Sequence, residues 1–139
     1  MQQPKADLIA AWLEKAEHDF GTAKVLFRHA PEYEDSIAFH CQQAVEKSLK
    51  AYMICLDLVP PKTHDLVVLS ELIIASGASL PDFKIELRDL TQFAVTFRYP
   101  EANSDEIPVL YLLGIMDKVD CTIKQLLREN GFTNSGELN

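Results

Sequence analysis

Apolar residues recur along most of this chain at the three- and four-residue spacing of a helix, and Pro or Gly breaks the pattern wherever a turn is due. The first segment, about Asp7 to His29, carries Leu8, Trp12, Ala16, Ala23 and Phe27 near helical spacing. Ala30-Pro31 ends it, because a proline pushes the preceding residue out of the α region. The second runs from about Glu34 to Asp57 and stops before Pro60-Pro61. Thr63 suits the N-cap of a third, about Thr63 to Ala75, with Asp65 in its first turn and Ser76-Gly77 as its stop. A fourth spans about Pro81 to Phe97, with Pro81 suited to a helix start. The fifth begins near Asp105-Glu106, holds Pro108 in its first turn, and runs to about Glu129 before Asn130-Gly131 closes it.

No run reads as a strand, and no repeat or low-complexity tract interrupts the helices. The pattern predicts an all-α fold, an up-and-down helical bundle of about five helices. Short connections favour antiparallel neighbours; the longer polar stretch from Tyr99 to Ser104 is the exception. With 139 residues the expectation is one domain, residues 1–139, with a core at about 7–129 and a flexible tail at 130–139. A domain of this size buries roughly two-thirds of its unfolded surface, so it needs neither disulfide nor metal to fold.

The second segment carries the most chemistry. At about 100° per residue from His40, the residues Cys41, Ala44, Val45, Ser48, Leu49, Ala51, Tyr52, Cys55 and Leu56 fill one broad arc, read as the core face. Gln43, Lys47 and Lys50 fall within about 80° of His40 on the other side, joined by Ile54 and flanked by Phe39 and Met53. Three readings of this polar stripe stay open. It is a solvated face, with Glu46 and Lys50 as an i,i+4 pair; or a subunit seam, given the apolar residues beside the charges; or an anion pocket. Lys62 and the start of the third helix would add backbone N–H groups to such a pocket, although Asp65 partly cancels their attraction.

Net charge is −8, from 13 basic and 21 acidic side chains, which argues against a general nucleic-acid coat but not against a local basic pocket. Cys41, Cys55 and Cys121 lack CxxC spacing and are read as small buried hydrophobes in a reducing cytoplasm. Met1-Gln2-Gln3-Pro4-Lys5 lacks the basic-then-apolar run of a signal peptide, and no apolar window reaches membrane-spanning length. His18 and His29 stand alone on the first segment and read as surface or satisfied histidines. There is no Glu-x-x-His pair for a di-metal centre, no Walker loop, no dinucleotide fingerprint and no nucleophilic triad, so no metal or cofactor is expected.

The block Phe39-His40-Cys41-Gln42-Gln43-Ala44-Val45-Glu46-Lys47-Ser48-Leu49-Lys50-Ala51, then Lys62-Thr63-His64-Asp65-Leu66, then Phe97-Arg98-Tyr99-Pro100, resembles the HEPN family (higher eukaryotes and prokaryotes nucleotide-binding domain). Trp12, Ala16 and Asp19 fit that family's first helix, and the resemblance covers about residues 7 to 129. It implies a helical bundle similar to the substrate-binding domain of nucleotidyltransferases, usually a homodimer, with a minimal nucleotidyltransferase as partner in a toxin–antitoxin-type pair and a nucleotide or RNA as ligand. The candidate site residues are then His40, Gln43, Lys47, Lys50, Lys62, His64 and Arg98.

Other branches of the family are metal-independent ribonucleases that use an Arg, four to six residues, then a His. From Arg98 the required positions hold Asn103, Ser104 and Asp105, and none does the work of an imidazole. Arg28, Arg88 and Arg128 fail the same test, because all four histidines lie at or before His64. A non-catalytic binding module is therefore expected, with a divergent ribonuclease toxin or a purely structural dimerisation module as alternatives. Arg98-Tyr99-Pro100 reads equally as a helix stop, Arg98 complementing the C-terminal dipole, and as part of the basic site.

Overall fold

The structure, a computed structural model, describes residues 1–96 and 107–134. Among them are five helices and no strand: α1 Gln3–His29, α2 Glu34–Cys55, α3 Leu66–Ala75, α4 Lys84–Thr96 and α5 Val109–Glu129. The all-α bundle expected from periodicity is what forms. The expected helix end at Phe97, the Tyr99 to Ser104 stretch, the helix start at Asp105-Glu106 and the last part of the tail, 135–139, lie outside the described residues. No helix among the described residues is long and apolar enough to cross a membrane.

The helix ends follow local chemistry. Asp65, not Thr63, caps α3: its Oδ1 accepts from the backbone N–H groups of Val67 (3.0 Å) and Val68 (3.4 Å). Thr63 acts one step earlier, its Oγ1 accepting from the N–H of Asp65 at 3.1 Å. At α4, Asp82 accepts from the N–H of Lys84, so the helix starts three residues after Pro81. Pro108 sits at the N-cap of α5 rather than inside its first turn. Both α2 and α5 end in Schellman turns. At α5, Gly131 takes positive φ while the N–H of Phe132 reaches the Leu127 carbonyl, and Phe132 tucks into the core. At α2 the same left-handed position is filled by Asp57, with φ 62.

α2 is the axis of the bundle and packs against all four other helices. Fourteen of its 22 residues are buried, so it has no broad solvent face. This overturns the one-sided reading of its sequence: Met53, expected beside an open polar stripe, is enclosed, and Lys50 is buried with it. α1 presents Ile9, Leu13, Ala16, Asp19 and Ala23 inward. Ala16 and Ala23 were expected there, but the rest of the stripe is turned by one residue, leaving Leu8 and Phe27 exposed. Cys41 and Cys55 are buried as expected, whereas Cys121 is exposed on α5.

Candidate functional site

A carboxylate stands in the middle of the apolar stripe of α1. Asp19 lies one helical turn from both Ala16 and Ala23, and it is buried against α2. Two residues of the predicted polar stripe reach it. His40 Nδ1 donates to Asp19 Oδ1 at 2.9 Å, and the Lys47 ammonium donates to Oδ2. Both partners are part-buried.

A second cluster repeats this composition on another side of α2. Gln42, Glu46 and Lys50 follow one another at intervals of four, so they stack along one inward line. Glu46 accepts three hydrogen bonds: from Lys50 Nζ at 3.0 Å, from His64 Nδ1 at 2.8 Å and from Gln42 Nε2 at 3.2 Å. The side chains of Glu46 and Lys50 are only 5% and 9% exposed. The Glu46–Lys50 pair read from the sequence therefore forms, but inside the protein and not on a wet face. Lys50 also stands 5.7 Å from the centre of the Trp12 ring, a cation–π contact with α1.

Each cluster holds one carboxylate, one ammonium and one imidazole. The ammonium charges of Lys47 and Lys50 are matched within the fold, so neither is a spare cation for a phosphate. No buried side-chain polar atom among the described residues is left without a partner.

His64 is the member that faces out. Its side chain is 76% exposed, yet it is held at both ends: Nδ1 on Glu46, and its backbone carbonyl accepting from Gln42 Nε2 at 2.8 Å. A carboxylate only accepts, so Nδ1 carries the ring proton and Nε2 is the nitrogen offered to a ligand. Beside it lies a groove of about 230 Å3 lined by Phe39, Gln42, Gln43, His64, Ala94 and Val95. Its polar residues come from α2 and the segment before α3, and Ala94 and Val95 from the end of α4. Gln43 is tied in through its Nε2, which donates to Gln42 Oε1 at 2.7 Å. The His40 ring meets Phe39 edge-on at 5.2 Å, which joins the Asp19 cluster to the groove wall.

The predicted set is thus divided. Gln43 and His64 share the groove; His40, Lys47 and Lys50 belong to the two internal clusters; Lys62 is exposed nearby in sequence. Arg98, with Asn103, Ser104 and Asp105, lies outside the described residues. The sequence reading placed Asp19, Gln42 and Glu46 in the family resemblance, and Glu46 in a pair with Lys50, but left all three out of the candidate site, although they organise the clusters. Two signals point to them: an acid on the apolar stripe of α1, and the four-residue recurrence of Gln, Glu and Lys on α2. Burial, and secondarily the charge of Asp117, pushes the Cys41 thiol up to about 12, which removes it as a nucleophile at neutral pH. No grouping of His, Cys, Asp and Glu among the described residues has the geometry to hold a metal.

Comparison with known proteins agrees with this architecture. A family model described as HEPN domain matches residues 9–126. No curated protein matches the chain. Among solved structures, the crystal structure of TT1696 from Thermus thermophilus is similar, with a TM-score of 0.66 at 21% identity, covering 88% of this chain and 97% of that one. At that identity the likeness speaks for the fold alone.

Proposed function

The chain belongs to the HEPN domain family, and from that premise we propose that it is a non-catalytic binding module that docks a minimal nucleotidyltransferase, in a toxin–antitoxin-type pair, through the groove at Gln43 and His64. One observation carries this: Lys47 and Lys50, the two cations that the second helix was expected to bring to an anion pocket, are neutralised by Asp19 and Glu46. Beside them lies a small groove lined by three polar residues, Gln42, Gln43 and His64, and three apolar ones, Phe39, Ala94 and Val95. Ligand pockets run roughly 300–1,000 Å3, and this groove is below that range, sized for a side chain or a single base rather than a whole nucleotide. A nucleotide or RNA is accordingly the second choice of occupant.

Titration calorimetry against a minimal nucleotidyltransferase from the same genome, and separately against ATP, GTP and a short RNA, tests the proposal. His64→Ala and Gln43→Arg each weaken nucleotidyltransferase binding by about tenfold or more, the loss of one well-placed contact. Unchanged binding in both variants, with helical content retained, would falsify the groove as the docking site.

A second reading has one observation in its favour. An exposed imidazole oriented by a buried carboxylate is also the arrangement of a general acid or base. If the protein is a divergent ribonuclease toxin, producing it alone arrests bacterial growth, and His64→Gln relieves the arrest. Normal growth under full induction removes this alternative.

A further inference from the structure

Two ion pairs set the register between α1 and α5. Lys124 meets Glu17 at 2.7 Å, and Lys24 meets Asp117 at 3.3 Å. Glu17 to Lys24 is the same step along α1 as Lys124 back to Asp117 along α5, so the two helices run antiparallel and level. One turn beyond Lys24, that register brings Phe27 and Arg28 level with Gly114 and Leu113. These four residues surround a cavity of about 480 Å3, with the Lys24–Asp117 pair at one end and Leu110 at the other. The volume lies inside the range of roughly 300–1,000 Å3 for small-molecule pockets.

Gly114 keeps this space open. A glycine inside a helix is destabilising relative to alanine, and crowding by a neighbour is the ordinary reason to keep one. Here a Cβ would meet nothing within 4 Å. No neighbour demands the glycine, and its missing side chain is the floor of the cavity. Phe27 and Leu110, 37% and 71% exposed, leave an aromatic and an aliphatic side chain at the rim.

The charge around the cavity has one sign to spare. The chain as a whole carries −8, yet α1 from Phe20 to His29 holds Lys24, Arg28 and His29 and no acid. α5 from Val109 to Met116 holds no charged residue. Among the described residues Asp117 is the one acid lining the cavity, and Lys24 neutralises it while standing 4.1 Å from the centre of the Phe20 ring. Arg28 has no ion-pair partner among the described residues. Its place in the last turn of α1 suits the helix dipole, but that role asks for no cavity beside it. A guanidinium matches a carboxylate with two parallel hydrogen bonds. One unpaired cation balances one negative charge; a phosphate monoester, at about −1.5 to −2 near pH 7, would bring an excess.

We propose that the cavity between α1 and α5 binds a small monocarboxylate with an apolar body. Its carboxylate lies on Arg28, and its alkyl or aryl part lies over Gly114 between Phe27 and Leu113. The cavity shares no residue with the groove at His64, so the site stands whether or not that groove docks a partner.

Titration of the isotope-labelled full chain with octanoate, followed by amide resonances, tests the proposal, with octanol, octylammonium and AMP as comparisons. Octanoate gives saturable shifts centred on Phe27, Arg28, Leu113 and Gly114, and binds at least about fivefold more tightly than each comparison, the worth of one charge-assisted contact. Gly114→Met fills the floor and weakens octanoate by about tenfold or more, while helical circular dichroism and Tm hold because the side chain enters open space. Arg28→Gln lowers octanoate to the affinity of octanol and leaves octanol unchanged, a selective loss that a packing role would not produce. Absence of saturation, shifts centred on His64, equal binding of octanol or octylammonium, tighter binding of AMP, or unchanged octanoate affinity in either folded variant would each overturn the proposal.

Discussion

Removing one partner of the Glu46–Lys50 pair is the sharpest perturbation this fold offers. In Lys50→Met the apolar stem is retained and the ammonium lost, so Glu46 keeps Gln42 and His64 as donors but loses its only lysine. In Glu46→Gln, the Lys50 ammonium, 9% exposed, loses its counter-charge, which neither an amide oxygen nor the distant Trp12 ring replaces. Breaking a buried pair from one side costs about 3–5 kcal/mol, because an uncompensated charge is left in a poorly solvated site. His64 contributes little to that cost, since its exposed ring is easily rehydrated.

Unfolding entropy near 2.1 cal/mol/K per residue gives about 0.3 kcal/mol/K for 139 residues. Either single variant therefore lowers Tm by roughly 10–17 °C. The double variant Glu46→Gln/Lys50→Met buries no unpaired charge and recovers at least about 2 kcal/mol relative to the sum of the singles. Urea titrations at constant m-value measure all three. Single-variant losses below about 1 kcal/mol, or additivity within about 0.5 kcal/mol, would mean that the pair is in effect a surface pair and that the inward placement of Lys50 is wrong.

Two other predictions concern titrating groups. In the native protein a maleimide reagent labels exposed Cys121 rapidly at pH 8, while Cys41, buried and pushed up to about 12, reacts only after unfolding; equal native rates would contradict the packing of α2. Lys124 bridges Glu17 of α1 (2.7 Å) and Asp120 (3.1 Å), and although burial works against its charge, these carboxylates lift its pKa above 10.5. Its raised pKa means that its contribution is present below the ordinary lysine range and lost as pH rises through the higher folded value. Thermal unfolding should show a loss of stability above about pH 10.5 that is smaller in Lys124→Met than in wild type, and identical pH profiles would rule out the link between α1 and α5.

The number of helices was legible because Pro and Gly mark the turns, and those marks act locally. Ser76-Gly77 and Asn130-Gly131 stop α3 and α5 where their chemistry says they should. The rotation of α1 was not legible, since Leu8 and Ile9, like Trp12 and Leu13, are adjacent apolar residues that fit a helical stripe equally well. The site was harder still. A polar arc on one helix is the same string of letters whether it meets water or a carboxylate from a distant segment. Lys47 looks solvated until α1 places Asp19 against it, 28 residues away in sequence. His64 was singled out only through the Lys62–Leu66 motif, and its tie to Glu46 spans 18 residues that pass through the Pro60-Pro61 turn.

The two charge clusters also explain how a weakly specifying apolar seam settles on one register. Small buried residues such as Ala16, Ala23, Ala38, Ala44 and Ala51 offer shallow steps, so sliding one helix by a turn, about 5.4 Å, would alter apolar packing only modestly. The same slide would carry Asp19 away from His40 and Lys47 and leave a buried carboxylate unpaired, at a cost of several kcal/mol. Glu46 does the equivalent for the segment leading into α3, fixing His64 relative to α2 through both its ring and its backbone carbonyl. On this account the double variant that regains stability should still lose definition around His64. Its amide resonances from Lys62 to Leu66 would broaden or multiply while those of α5 stay sharp, and an undisturbed wild-type pattern would show that apolar packing alone sets the register. The Gln42–Lys50 block then serves the site indirectly. It holds in place the groove where His64 meets the end of α4, the site on which the proposed docking depends.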